Sequence, residues 1–174
     1  MTADDETAAR ARTANLLGAL ALEAVHAQDQ ATHAVVGQAG AAAAALVMIA
    51  ATPGRSIEQL RGALGLSQPG ATRLMDRLAG QGWIERGGAT GRRGLSIRLT
   101  PAGERVLDQL LAARRAALTR LLEPLPAADL GQLAALLESL LAARTGSRAD
   151  LERLCRLCER RACSRCPVAH AAGA

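Results

Sequence analysis

The 174-residue sequence predicts a mainly α fold with a small β-ribbon, and three observations carry that reading. Leucine and alanine recur at helical spacing along most of the chain. Period-two alternation is confined to one short stretch, Leu95 to Leu99. Glycines, prolines and Ser/Thr caps punctuate the rest. Nearly half the residues are apolar (49%), enough for a core, and the 21% charged fraction keeps the chain outside the disordered regime.

Residues 7–27 place Leu16, Leu17, Leu20 and Val25 at roughly helical spacing, and residues 30–51 give a second, Ala-rich helical stretch closed by Thr52-Pro53-Gly54. Ser56-Ile57-Glu58-Gln59 is a capping box, with Ile57, Leu60, Ala63 and Leu64 as one apolar stripe and Gly65 as the left-handed stop. Leu66 is read as a buried turn residue. Ser67 caps the next helix, Pro69 sits in its first turn, and Ala71, Leu74, Met75 and Leu78 form its inner face until Gly80-Gln81-Gly82. Trp83 to Arg86 suits a strand, residues 87–94 make a Gly-rich hairpin tip, and Leu95 to Leu99 alternates as a half-buried strand does. Thr100-Pro101 then opens a long helix through Leu122, ended by Pro124 and Pro126, and a last helix carries Leu130 to Leu141.

Composition and charge exclude several functions. There is one Trp and no Phe or Tyr, which argues against aromatic platforms for single-stranded nucleic acid. Every basic residue is Arg, so neither a lysine-bearing phosphate loop nor a lysine Schiff base is available. The net charge of +5 is uneven: residues 1–53 carry −3, 54–105 carry +5, 106–147 are neutral and 148–174 carry +3. A localised basic surface follows. The acidic start, Met1 to Glu6, is unlike a secretory leader, and the longest apolar run, Ala39 to Ala51, falls short of the ~20 residues a membrane span needs. A cytoplasmic protein with no membrane partner is expected.

Two short helices joined by a tight glycine turn make a helix-turn-helix, and the ribbon that follows makes it a winged one. On the second helix, Gln68, Thr72, Arg73 and Asp76 are left for the outer face, with Arg77 to one side. Arg pairs with guanine, Gln with adenine, and the Thr methyl meets a thymine methyl. Arg92 and Arg93 at the Gly-flanked tip suit a narrow minor groove. The candidate DNA-contacting residues are Ser67, Gln68, Gly70, Ala71, Thr72, Arg73, Arg77, Arg92 and Arg93. The domain scheme is N-terminal helices over 1–53, the winged helix-turn-helix over 54–103, C-terminal helices over 104–147 and a Cys-rich tail over 148–174. The Leu-rich helices flanking the small winged region have more apolar surface than it can cover, which points to dimerisation, with an intramolecular helical hairpin as the alternative.

Residues from about 30 to 145 resemble the MarR family of winged-helix transcriptional regulators. The resemblance is carried by Leu66-Ser67-Gln68-Pro69-Gly70-Ala71-Thr72-Arg73-Leu74-Met75-Asp76-Arg77-Leu78, by Gln81-Gly82-Trp83-Ile84-Glu85-Arg86, and by Arg93 followed by Arg98-Leu99-Thr100-Pro101-Ala102-Gly103. The family's D-x-R wing pattern keeps its Arg at Arg93 but has Gly91 where the Asp stands, so the acid that usually orders the wing through a recognition-helix Arg, here Arg77, is missing. The resemblance implies a homodimer with interlocked first and last helices, two recognition helices on successive major-groove faces of a palindromic double-stranded operator, and repression as the default. His26 and His33 are read as ordinary interface or surface residues, and either could also line the pocket for a small-molecule effector that the resemblance implies.

All four cysteines lie in Cys155-x2-Cys158-x4-Cys163-x2-Cys166, outside the part that the resemblance covers. Paired C-x2-C motifs let two sulfurs converge on one ion, and zinc is the first reading. The closing Cys-Pro also suits an iron–sulfur cluster, and metal-free thiol switching is the third reading. His170 is read as a terminal residue rather than a ligand. Neither pair sits in a βαβ setting and no nucleophile-elbow pattern appears, so no enzymatic activity is expected. Two other readings are a small thiol or iron–sulfur redox protein and a protein-interaction adaptor with a degenerate winged helix. The basic balance of residues 54–105 favours a DNA-binding regulator, with the tail as a sensor of redox state or metal.

Overall fold

The computed structural model of the protein describes residues 2–37, 40–89, 95–163 and 165–173. Helix α1 (Ala3–Val36) opens on a capping box, the Thr2 hydroxyl accepting from the Asp5 amide at 3.2 Å and the Asp5 carboxylate from the Thr2 amide at 3.0 Å. It closes on Gly37 at φ 67°. The division expected between residues 27 and 30 does not occur. Ala27 to Gln30 contains no helix breaker, and the chain turns instead around Gly37 and Gly40, both at positive φ.

Helix α2 (Ala41–Ala51) buries eight residues in succession, Ala42 to Ile49. A helix apolar on every side belongs inside, and α2 is the centre of the molecule. Around it stand α3 (Ile57–Leu64), α4 (Gln68–Gly80), the ribbon of β1 (Ile84–Ala89) and β2 (Leu95–Leu99), and α5 (Pro101–Leu122). Leu46, Ile49, Leu60, Met75, Leu78, Ile97 and Leu110 are the large, fully buried side chains of this core. The strands pair antiparallel, Ile84 with Leu99 and Arg86 with Ile97, with an irregularity between Arg86 and Ala89.

The start of α5 is set by a close approach. Thr100 donates its amide to the Trp83 carbonyl (3.0 Å) and its hydroxyl to the Gly82 carbonyl (2.6 Å), while accepting from the Gly103 amide (3.0 Å). A Cβ on Gly103 would run into the Trp83 backbone carbonyl, which is itself held by the Thr100 bond. Gly103→Ala is therefore expected to destabilise the fold by about 1–3 kcal/mol, the usual cost of forcing atoms into a filled space. Urea unfolding checks this, with Gly131→Ala, where a Cβ meets nothing within 4 Å, as the tolerated control.

Helix α6 (Ala127–Ala143) has no buried residue. Leu136, Leu137, Leu140 and Leu141 stand out from it, as do Leu16, Leu17, Leu20 and Leu22 from α1, which packs along α5. The tail continues as α7 (Arg148–Leu154), a single 3₁₀ turn (Arg160–Ala162) and α8 (Pro167–Ala171). His170 lies within α8 with its side chain exposed. No single helix among the described residues is long and apolar enough to cross a membrane.

Candidate nucleic-acid interface

Helix α3 begins as its sequence requires. The Ser56 hydroxyl accepts from the Gln59 amide (3.3 Å) and the Gln59 side chain accepts from the Ser56 amide (3.0 Å). Gly65, at φ 66°, ends the helix, and the Leu66 amide reaches back to the Arg61 carbonyl at 3.0 Å. Ser67 then caps α4 by accepting from the Gly70 amide at 3.3 Å, with Pro69 in the first turn. The turn between the two helices is therefore held by short-range bonds alone.

Ala71, Leu74, Met75 and Leu78 bind α4 to the core. Ala71, expected among the DNA contacts, is only 1% exposed, so its methyl serves packing and cannot meet a base. Gly70 is half-buried and its amide is committed to the cap. Ser67, Gln68, Thr72, Arg73 and Arg77 are exposed on the opposite side. The Thr72 hydroxyl donates to the Gln68 carbonyl (3.2 Å), which turns its chemistry outward as a methyl group. Arg73 and Arg77 make no ion pair among the described residues. Arg92 and Arg93 lie outside the described residues.

The wing is tied to the recognition helix by a pair that the sequence reading missed. Asp76 of α4 accepts from the Arg86 guanidinium of β1. The acid stands on the helix and the base on the strand, the reverse of the polarity expected from Arg77 and the wing position at Gly91. Both side chains are partly open to water, so the pair adds at most about 1 kcal/mol of stability, and its value is orientation.

The two basic blocks of the sequence meet in space. A groove of about 1290 Å³ between α3, β2 and α7 is lined by Arg55, Arg98, Arg148, Arg153 and Arg156, with Glu58 and Glu152 among them. Arg55 donates to Glu152 at 2.7 Å across this groove, with side chains only 10% and 25% exposed. The Arg55 carbonyl accepts from the Ile97 amide (3.0 Å), so the residue that grips the tail also forms part of the wing's base.

The amino-acid sequence of residues 39–94 matches the model of the MarR family. Over this segment the chain is similar to the MarR family. Solved structures carry the likeness over most of the chain. The MepR transcription regulator of the Staphylococcus aureus multidrug efflux pump MepA superposes with a TM-score of 0.66 at 19% identity, covering 75% of this chain and 96% of that one. A multiple antibiotic-resistance repressor from Listeria monocytogenes gives 0.60 at 20% identity, covering 80% and 95%. The Mycobacterium tuberculosis MarR family protein RV2887, in complex with p-aminosalicylic acid, gives 0.58 at 23% identity, covering 73% and 96%. No curated protein sequence matches this chain significantly. The architecture is the MarR-type winged helix, mainly α with a small β-ribbon, as the sequence predicts.

Outside the matched segment, His26 and His33 lie along one open groove of α1, with Leu22, Val25 and Asp29, and His26 is bonded to Gln30 at 2.9 Å. The cysteine tail wraps back onto the molecule. α8 packs on α6 with Val168 buried, α7 packs on α3, and Nη1 of Arg115 in α5 donates to both Glu159 carboxylate oxygens, at 2.6 and 2.7 Å. Burial, then the neighbouring thiols of Cys158 and Cys166, push the Cys155 thiol up to about 12, and burial and Cys166 also raise that of Cys163. All four are free thiols, and no group of three or more His, Cys, Asp or Glu among the described residues stands in a metal-ligand arrangement.

Proposed function

We propose that the protein is a homodimeric, sequence-specific DNA-binding regulator without catalytic activity, acting in the cytoplasm as a repressor. The observation that carries this reading is α4 itself. Its core face is fully buried while Gln68, Thr72 and Arg73 stand together on the open face of its first two turns, where a recognition helix meets base edges. Arg77 and the Ser67 hydroxyl serve the phosphates beside it, and Arg92 and Arg93 of the wing serve the adjacent minor groove. Dimerisation is supported by α6, on which Leu136, Leu137 and Leu140 are left exposed. Two reading heads related by a two-fold axis call for a palindromic operator.

A small effector belongs to the same reading. The M. tuberculosis relative binds p-aminosalicylic acid, and a small aromatic acid is the corresponding candidate here. The cysteine tail is proposed as the regulator's metal or redox centre.

Duplex binding measured against salt tests the central claim. If guanidinium groups displace counterions, the logarithm of the association constant falls linearly with the logarithm of salt concentration, with a slope of about −0.9 per phosphate contacted. Tight, salt-dependent retention of one palindromic family from a random duplex pool is the expected result. Equal retention of every duplex, or none at low salt, contradicts the reading.

A further inference from the structure

The DNA-reading surface leaves Cys155, Cys158, Cys163 and Cys166 unused, although they are the chain's most distinctive chemistry. Their C-x2-C-x4-C-x2-C spacing puts two cysteine pairs within twelve residues, and Cys158 and Cys166 are the neighbouring thiols of Cys155. The first turn is drawn in by the Cys158 amide bonding the Cys155 carbonyl (3.1 Å). At the second, the Ala169 amide donates to the Cys166 sulfur (3.4 Å), a bond that holds a ligating sulfur in place. Among the described residues the neutral thiols do not stand as a ligand sphere, and all four lie within one twelve-residue segment.

The segment is anchored at both flanks. Glu152, just before Cys155, holds Arg55 at the base of the wing, while Glu159, just after Cys158, holds Arg115 of α5. α8, which starts at the residue after Cys166, packs on α6. The cysteines therefore sit where the reading head, the long helix and the apolar C-terminal helix are joined.

We infer that Cys155, Cys158, Cys163 and Cys166 bind one zinc ion as a tetrathiolate, and that the filled site clasps α7 to the helix-turn-helix through Glu152 and Arg55. Zinc accepts four sulfur ligands in a tetrahedron, and loading releases the four thiol protons. The resulting centre carries a net charge of −2, which Arg156, Arg160 and Arg165 of the same segment offset. With the clasp closed, Arg55 holds the wing's base at a fixed distance from α5 and α6. The regulatory half of this inference rests on the DNA-binding reading; the metal half does not.

The test uses the full-length protein, purified anaerobically and stripped of metal. Titration with zinc, and with cobalt as a coloured probe, is expected to load one ion per chain with the spectrum of tetrahedral cobalt bound by four thiolates. Cys155→Ser and Cys166→Ser are expected to lose that spectrum. Bound iron with a visible chromophore in the untreated protein, or no metal taken up by the reduced protein, overturns the site. Zinc loading is expected to slow amide exchange in α3 and α7 and to tighten duplex binding on the order of tenfold. Glu152→Gln keeps all four thiols, and is expected to bind zinc normally while losing both effects. Normal zinc binding by the unaltered protein with unchanged exchange in α3, or a Glu152→Gln variant that keeps both effects, overturns the clasp. If exchange responds but neither form binds any duplex at low salt, the clasp stands and the DNA-binding reading fails.

Discussion

Changing Leu137 and Leu140 to Asp together is expected to give a folded monomer that no longer binds duplex tightly. The two residues lie three apart on one face of α6, at 43% and 54% exposure, in a helix with no buried residue. Across a two-fold interface the pair is counted twice, and each buried leucine is worth about 1.5–3 kcal/mol. With about half of each side chain still to be buried, the loss is on the order of 3–6 kcal/mol before the repulsion of four carboxylates, enough to separate the protomers. A single reading head forfeits the avidity of two, so affinity for a palindromic duplex falls by roughly 10²–10⁴. Sedimentation equilibrium reports the association state, and circular dichroism confirms that helix content is retained. A double variant that stays dimeric and keeps its affinity places the interface elsewhere.

Arg73→Ala carries the second large effect, and it concerns discrimination rather than strength. Arg73 is exposed on the outer face of α4 and makes no ion pair among the described residues, so its guanidinium is available to a base edge. Losing a two-pronged contact with guanine reduces discrimination at that base pair by about 1–3 kcal/mol. The selected sequence should become degenerate at one position in each half-site. Arg93→Ala should instead weaken all duplexes alike and reduce the salt slope by about 1, because a phosphate or minor-groove cation contributes mainly charge. Selection from a random pool with each variant separates the two roles. Uniform losses from both would remove the assignment of Arg73 as the reader.

The parts of the fold that were legible in the sequence are those governed by bonds between near neighbours. Ser56 with Gln59, Gly65, Ser67 with Gly70, and Thr100 before Pro101 each act within a few residues, and each is where the sequence places it. The continuous α1 was not legible, because alanine satisfies many periodicities and His26 to Gln30 offers no apolar marker. The functional pairs that escaped the reading act over distance. Asp76 and Arg86 are ten residues apart and belong to different elements, and Arg55 and Glu152 are separated by 97 residues. Nothing in local composition distinguishes such a pair from two solvated charges. The outer face of α4 was readable because its inner face was. Once Leu74, Met75 and Leu78 are assigned to the core, helical geometry fixes where Gln68 and Arg73 must stand.

Helix α2 gives the molecule a keel made largely of methyl groups. Four successive alanines, Ala42 to Ala45, are all buried, so a larger side chain at any of them has to displace its packed neighbours. The plainest stretch of the chain, which simple composition would pass over as filler, is thus the least free to vary. Any enlargement there wedges apart the arms and the DNA-facing half simultaneously, so damage at this hidden tract should surface as loss of the whole protein rather than as a change in what it recognises.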